Sequence, residues 1–229
     1  MRRAAIAIVF LSGVAGAEEP PYLYHRLPTE APVRLELETG IGTREARPFG
    51  EDGVEQALRV EVAPLRWLAF SARGGALFTG GEVRGAAGVE AIGGLGGVRV
   101  AAGVLRDYRE DVVLRFRAVG SFERGRLALA ASGLVEVPLA EDRDAVDLVV
   151  GAAAMFEVAG DLRLGGELLV EDIEGLWEAE EAEGGARALA GPAAWIRLGA
   201  GVDLKLNAAL TASGDGAGFL GRAAVGMTF

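Results

Sequence analysis

Cysteine is absent from all 229 residues. No disulfide framework and no lipidated-cysteine anchor can form, so cohesion has to come from the fold itself. Long hydrophobic runs are also missing. Beyond the first residues no stretch approaches the roughly 20 uncharged apolar residues that a membrane-spanning helix needs. There is one histidine, His25, in a Pro-rich segment. Chemistry that relies on an imidazole as general base therefore has no well-placed candidate. Cationic excess is lacking too. The formal net charge is −10, which argues against nucleic acid and anionic headgroups as electrostatic partners. No D-x-D-x-D-G calcium loop is present. Gly93-Gly94-Leu95-Gly96-Gly97 has neither a following helix pattern nor a Lys-Ser/Thr pair, so it reads as a tight turn rather than a phosphate cradle. No cofactor is implied.

The N-terminus has the layout of a secretory signal. Arg2 and Arg3 precede an apolar run from Ala4 to Leu11, and Ala15-Gly16-Ala17 supplies a small-residue cleavage site. Residues 1–17 are read as this signal, with the mature chain beginning at Glu18. Residues 18–32 hold four prolines and no periodicity, which predicts an extended tail. Residues 33–229 are the folded part.

Half of the chain is hydrophobic, 51%, yet the apolar residues stand singly between charges. Val33, Leu35 and Leu37 oppose Arg34, Glu36 and Glu38, and Leu58, Val60 and Val62 oppose Arg59 and Glu61. Val202, Leu204 and Leu206 oppose Asp203, Lys205 and Asn207, the clearest case. Strict alternation is the period of a strand with one apolar and one polar face. Counted along the chain it predicts about twelve strands of roughly ten residues, the length a tilted strand needs to cross hydrocarbon, with ten or fourteen as alternatives. Two segments fit less well: Arg66 to Phe78, where Trp67 and Leu68 are adjacent, and Ala188 to Leu198, which contains Pro192. The fold class expected is all-β, a transmembrane antiparallel up-and-down barrel. A closed barrel leaves no strand edge unpaired in lipid.

Spacing between strands adds a second signal. Connections after odd strands are expected to be the longer ones, notably Gly42 to Gly53, Pro138 to Asp144 and Asp172 to Arg187. Thr79-Gly80-Gly81, Asp107 to Asp111 and Ser213 to Gly216 are expected to be moderate. Those after even strands are terse, around Ala63-Pro64-Leu65, Gly93-Gly94, Glu123-Arg124-Gly125, Ala159-Gly160 and Gly199-Ala200-Gly201. Short periplasmic turns and long extracellular loops alternate in this way in outer-membrane barrels, and an even strand count puts both termini in the periplasm.

The chain closes on Phe219, Ala223, Val225, Met227 and Phe229 on one face of the final strand. This strand resembles the closing strand of bacterial outer-membrane β-barrel proteins, and the last hairpins look like those of small porin-like or transporter-like members. The resemblance implies a location in the outer membrane of a Gram-negative cell. It also implies that Phe229, Met227, Val225 and Phe219 form the signal read by the barrel-assembly machinery. Outer-membrane lipids and lipopolysaccharide are the surroundings expected. Hydrolases built on such barrels use a histidine that His25, outside the wall, does not supply. An autotransporter translocator is disfavoured because only the tail precedes the barrel.

Charges of both signs fall on the inward faces in nearly equal number, which argues against strong ion selectivity. The candidate constriction comprises Arg115, Arg117, Arg99, Glu90, Glu167 and Arg163. Small inward residues such as Gly103, Ala128, Gly151, Ala153 and Gly165 leave room, which favours a narrow passive channel for small solutes. The alternative is a non-conducting scaffold barrel, stiffened by lumenal ion pairs, that binds an envelope protein partner through its tail or acidic loops. The acidic connection carrying Asp172, Glu174, Trp177, Glu178, Glu180, Glu181 and Glu183 is read as a solvated extracellular loop.

Overall fold

The computed structural model describes residues 33–43, 46, 52–140, 146–171, 173, 186–214 and 216–229. The signal and tail segments, His25 and the acidic residues from Asp172 to Glu183 lie outside these residues.

Twelve antiparallel strands close into one barrel. They are β1 (Val33–Gly42), β2 (Gly53–Leu65), β3 (Leu68–Thr79), β4 (Glu82–Leu95), β5 (Val98–Arg106), β6 (Val112–Arg124), β7 (Leu127–Pro138), β8 (Asp147–Ala159), β9 (Leu162–Glu171), β10 (Arg187–Gly199), β11 (Val202–Ser213) and β12 (Gly216–Thr228). Each strand pairs with its neighbours in sequence, and β1 closes the cylinder against β12. In that closure Leu35 faces Met227 and Leu37 faces Val225. The Phe229 amide then donates to the Val33 carbonyl at 2.9 Å, so the last residue ties the two ends of the folded part together.

The alternation read from sequence is the alternation observed. Leu37, Leu58, Phe70, Val89, Phe116, Phe156, Leu168, Leu206 and Leu210 are all exposed on the outer face. Among the described strand residues that point outward, the charged ones are Arg106 and Arg124, each at a strand end. A belt of apolar side chains free of charge is stable only against hydrocarbon. The charges instead occupy the inside, where Glu36, Glu55, Arg73, Arg115, Asp203 and Arg222 are buried.

The uncertain segments are both strands. Pro192 neither ends β10 nor bulges it against β9, where it pairs with Gly166. The ladder to β11 instead skips Gly191 and Pro192, because proline has no N–H to donate. At Gly191 the β10 backbone comes so close to β11 that a Cβ would overlap the Ala208 carbonyl oxygen. Glycine there lets the wall bend.

Loop phase is only partly as expected. All connections after even strands are two-residue turns, at 66–67, 96–97, 125–126, 160–161 and 200–201. The first falls at Arg66-Trp67 rather than Ala63-Pro64-Leu65, and the second at Gly96-Gly97 rather than Gly93-Gly94, since β2 continues to Leu65 and β4 to Leu95. Arg126 lies in the third turn and is exposed. At the other end the connections between β1 and β2, β7 and β8, and β9 and β10 are long. Those after β3 and β11 are as tight as the turns opposite. Gly80 and Gly81 both have positive φ, 52° and 90°, the geometry of a two-residue turn matched to strand twist.

Candidate functional site: the barrel lumen

The lumen divides into two levels along the axis. The level farther from the chain termini is closed by packed side chains. Leu77, Leu105, Val149, Leu169, Leu189 and Leu220 project inward from strands all around the wall and meet in one apolar cluster. Leu220 has no exposed surface. Two connections add to this plug from the rim: Ala46, between β1 and β2, and Tyr108, between β5 and β6, both belong to the cluster. The Tyr108 loop is held tightly, with the Arg109 and Asp111 amides donating to Asp107 Oδ1 at 3.0 and 2.9 Å.

Beside the apolar cluster runs a ladder of buried charge on the β12, β1, β2 and β3 walls. Arg222 Nη1 donates to Glu38 Oε1 at 2.7 Å and approaches Glu55 Oε2 at 3.5 Å. Arg73 Nη2 donates to Glu55 Oε1 at 2.8 Å, and the Tyr108 hydroxyl donates to the same oxygen at 2.7 Å. Burial and the Glu55 carboxylate push the Tyr108 phenol well above its ordinary range. Tyr108 is thus a neutral bolt, apolar on its ring and hydrogen-bonded at its tip.

A second ion group links β4, β6 and β7. Arg117 Nη2 donates to Glu90 Oε2 at 2.9 Å. Arg115 lies 2.6 Å from Glu136, an ion contact outside hydrogen-bond geometry, and 4.0 Å from Glu90.

The level nearer the termini is different. It holds a cavity of about 40 Å³, enough for a few waters, lined by Arg34, Arg59, Arg99, Arg117 and Lys205 against Glu36 and Glu61. Ile92, Ala101 and Val119 complete its wall. Arg34 bridges Asp203 at 2.7 Å and Glu36 at 2.8 Å, and Lys205 Nζ donates to Glu36 Oε2 at 2.8 Å. Next to it Trp195 donates its indole N–H to Asp203 at 3.0 Å. The Arg163 and Arg197 guanidiniums stand 5.1 and 4.8 Å from its ring, within cation–π range.

The six residues of the candidate constriction are all lumenal but form no single ring. Arg115, Arg117 and Glu90 lie together, and Arg99 lines the cavity. Arg163 sits near the turns, at 3.1 Å from Glu123 and 3.8 Å from Glu157. Glu167 accepts from Asn207 at 2.9 Å. The room expected beside the small inward residues is filled, since Ala128 and Ala153 are buried. Sequence reading missed Glu55, Arg73, Glu136 and Tyr108. The first three follow the inward parity of β2, β3 and β7 and were legible there. Tyr108 lies in a connection, where no periodicity operates.

No family model matches the chain, and no curated protein matches its sequence. Solved structures do match its shape. An outer membrane channel from Pseudomonas putida F1 superposes with a TM-score of 0.61 over 93% of this chain and 100% of its own, at 14% identity. The fold is the outer-membrane β-barrel. The KdgM porin, in a structure with disordered oligogalacturonate, gives 0.55 over 86% and 99% at 9% identity. The translocator domain of autotransporter NalP from Neisseria meningitidis gives 0.51 over 90% and 91% at 14% identity. At these identities the likeness is one of architecture. The charge-free outer belt of the present barrel is what that architecture requires.

Proposed function

We propose that this outer-membrane barrel is a narrow porin-like passage for small solutes, held closed in the conformation described. The observation that carries the reading is the layering of the lumen. A solvent-sized cavity lined by charge stops at a plug made of side chains: apolar residues from the wall, one tyrosine on a connection, and ion pairs between strands. A barrel of twelve strands lies between the eight that enclose only side chains and the sixteen that leave an aqueous channel. At that width side chains alone decide whether the lumen is closed.

Several untested expectations belong to the same reading. Residues 1–17 direct export, both termini lie in the periplasm, and Phe229 with Val225 and Met227 is read by the assembly machinery. Lipopolysaccharide surrounds the longer connections, and the acidic loop around Trp177 faces outside. Conductance of the purified chain in planar bilayers tests the passage: brief, small steps are expected in wild type and longer openings in Tyr108→Ala. If neither shows a step above background, the second reading stands. That reading is a non-conducting scaffold barrel, and the burial of lumenal side chains such as Leu220 and Arg222 favours it.

A further inference from the structure

Arg73 and Glu90, on the neighbouring strands β3 and β4, each keep one buried atom without a hydrogen-bond partner among the described residues. Arg73 donates through Nη2 to Glu55, but its Nη1 donates to nothing. Glu90 accepts through Oε2 from Arg117, but its Oε1 accepts nothing and meets Arg115 only at 4.0 Å. The two side chains are 6% and 9% exposed, so bulk water does not satisfy them. A charged group in this state carries a desolvation cost that a hydrogen bond offsets.

Both residues line one small recess at the junction of the two levels, together with Ser71, Gly88, Leu105 and Arg115. The register accounts for it. On the inner face Arg73 pairs with Gly88 and Gly88 with Leu105, so the middle position of the row has no side chain. The space open to the centre of a water molecule is about 10 Å³. That is room for a single water, which is held where two to four polar groups surround it. Arg73 supplies a donor, Glu90 an acceptor, and Ser71 a hydroxyl that serves as either. Each charged group also leads onward. Arg73 is bonded to Glu55, which accepts from the Tyr108 hydroxyl, and Glu90 is bonded to Arg117, which lines the cavity nearer the termini.

We infer that this recess is a water-binding site, in which one molecule accepts from Arg73 Nη1 and donates to Glu90 Oε1. The water completes a hydrogen-bonded seam along the wall, from Tyr108 through Glu55, Arg73, the water and Glu90 to Arg117. The seam runs beside the leucine cluster, so plug and cavity belong to one polar network on this side of the barrel. As the line along which the lumen wets when it opens, the seam rests on the porin-like reading; as a water site it does not.

X-ray radiolytic labelling of the full refolded chain in detergent micelles, read by mass spectrometry, tests the site, because hydroxyl radicals formed from a bound water oxidise the side chains beside it. Leu105 lines the recess, Leu189 joins the same apolar cluster from the far wall, and both are buried. Leu105 is expected to be labelled and Leu189 to be spared. In Gly88→Ala the added Cβ lies 2.9 Å from Leu105 Cδ1 and 3.0 Å from the Val104 carbonyl oxygen, which fills the recess, and Leu105 labelling is expected to be lost. Heat-modifiable gel migration confirms that the variant is a folded barrel, and Ser71→Val, which fills the recess from β3, serves if it is not. Equal labelling of the two leucines, or undiminished Leu105 labelling in the filled variant, overturns the inference. So does a rise in Leu105 labelling when gluconate replaces chloride, which assigns the recess to a halide. Bilayer conductance on the same samples separates the two readings. Steps without selective Leu105 labelling sink the site alone, and selective labelling without steps sinks the passage alone.

Discussion

The two levels of this lumen use the same residue types for opposite ends. In the packed level Arg73, Arg115 and Arg222 each meet a carboxylate on a neighbouring strand, and leucines from facing walls pack beside them. In the cavity level cations and acids share a wall that leaves space open between them. A buried charge without a partner carries a large desolvation penalty, so the packed level is stable only as a complete set. The cavity level keeps room for water. Closure and hydration are thus separated along one axis.

The strongest way to break the contrast is to remove a hub of the packed level. Arg222→Ala leaves Glu38 and Glu55 buried beside the space vacated and is expected to cost about 3–5 kcal/mol in denaturant unfolding from lipid vesicles. Combining it with Glu38→Gln is expected to return part of that loss. Placing charge on the wrong face is expected to come next: Leu206→Arg, on the lipid side, costs about 2–4 kcal/mol if it lies near the bilayer midplane.

Tyr108→Phe separates ring from hydroxyl. It keeps the apolar plug but removes the donor to Glu55, which still accepts from Arg73. Its expected cost is about 0.5–1.5 kcal/mol, without longer channel openings. The phenol itself gives a pH readout. Because its pKa is raised on folding, the stabilisation is fully present below the unfolded value of about 10. It is lost as pH rises further, when the unfolded chain ionises first. In a background where Tyr22 and Tyr24 are Phe, phenolate absorbance is therefore expected only as the barrel unfolds; absorbance appearing in the folded barrel would show the bolt to be open. Arg84→Ala, at the rim with an exposed partner in Glu82, marks the bottom of the scale. A surface pair of this kind contributes about 0.2–1 kcal/mol, and no change in conductance is expected.

The guanidiniums on the cavity wall have an electrical signature. Reversal potentials across a salt gradient are expected to shift toward cations in Arg59→Gln/Arg99→Gln relative to wild type. An identical potential in both would place the conduction path away from the cavity.

Much of this was legible without coordinates because a strand's period is two. Val202 through Asn207 state which side chains face out and which face in, and a slip of one residue would invert every face. The tight turns after even strands and the final Phe229 follow from equally local patterns. Three features were not local. Tyr108 plugs the barrel from a connection that has no period. Pro192 sits within a strand because only one of its two ladders needs the missing donor. The turns after β3 and β11 are tight although their end of the barrel carries the long connections.

By itself the sequence determined the all-β class, an approximate strand count and the face of most strand residues, since hydrophobic alternation and turn chemistry act between near neighbours. Only the tertiary structure decided which charges meet. Arg34 finds Asp203 169 residues away and Arg222 finds Glu38 184 residues away, and these contacts depend on strand tilt and register stagger around the closed wall. Parity says that a residue points inward; the stagger sets the height at which it does so. That height separates a packed plug from a charge-lined cavity.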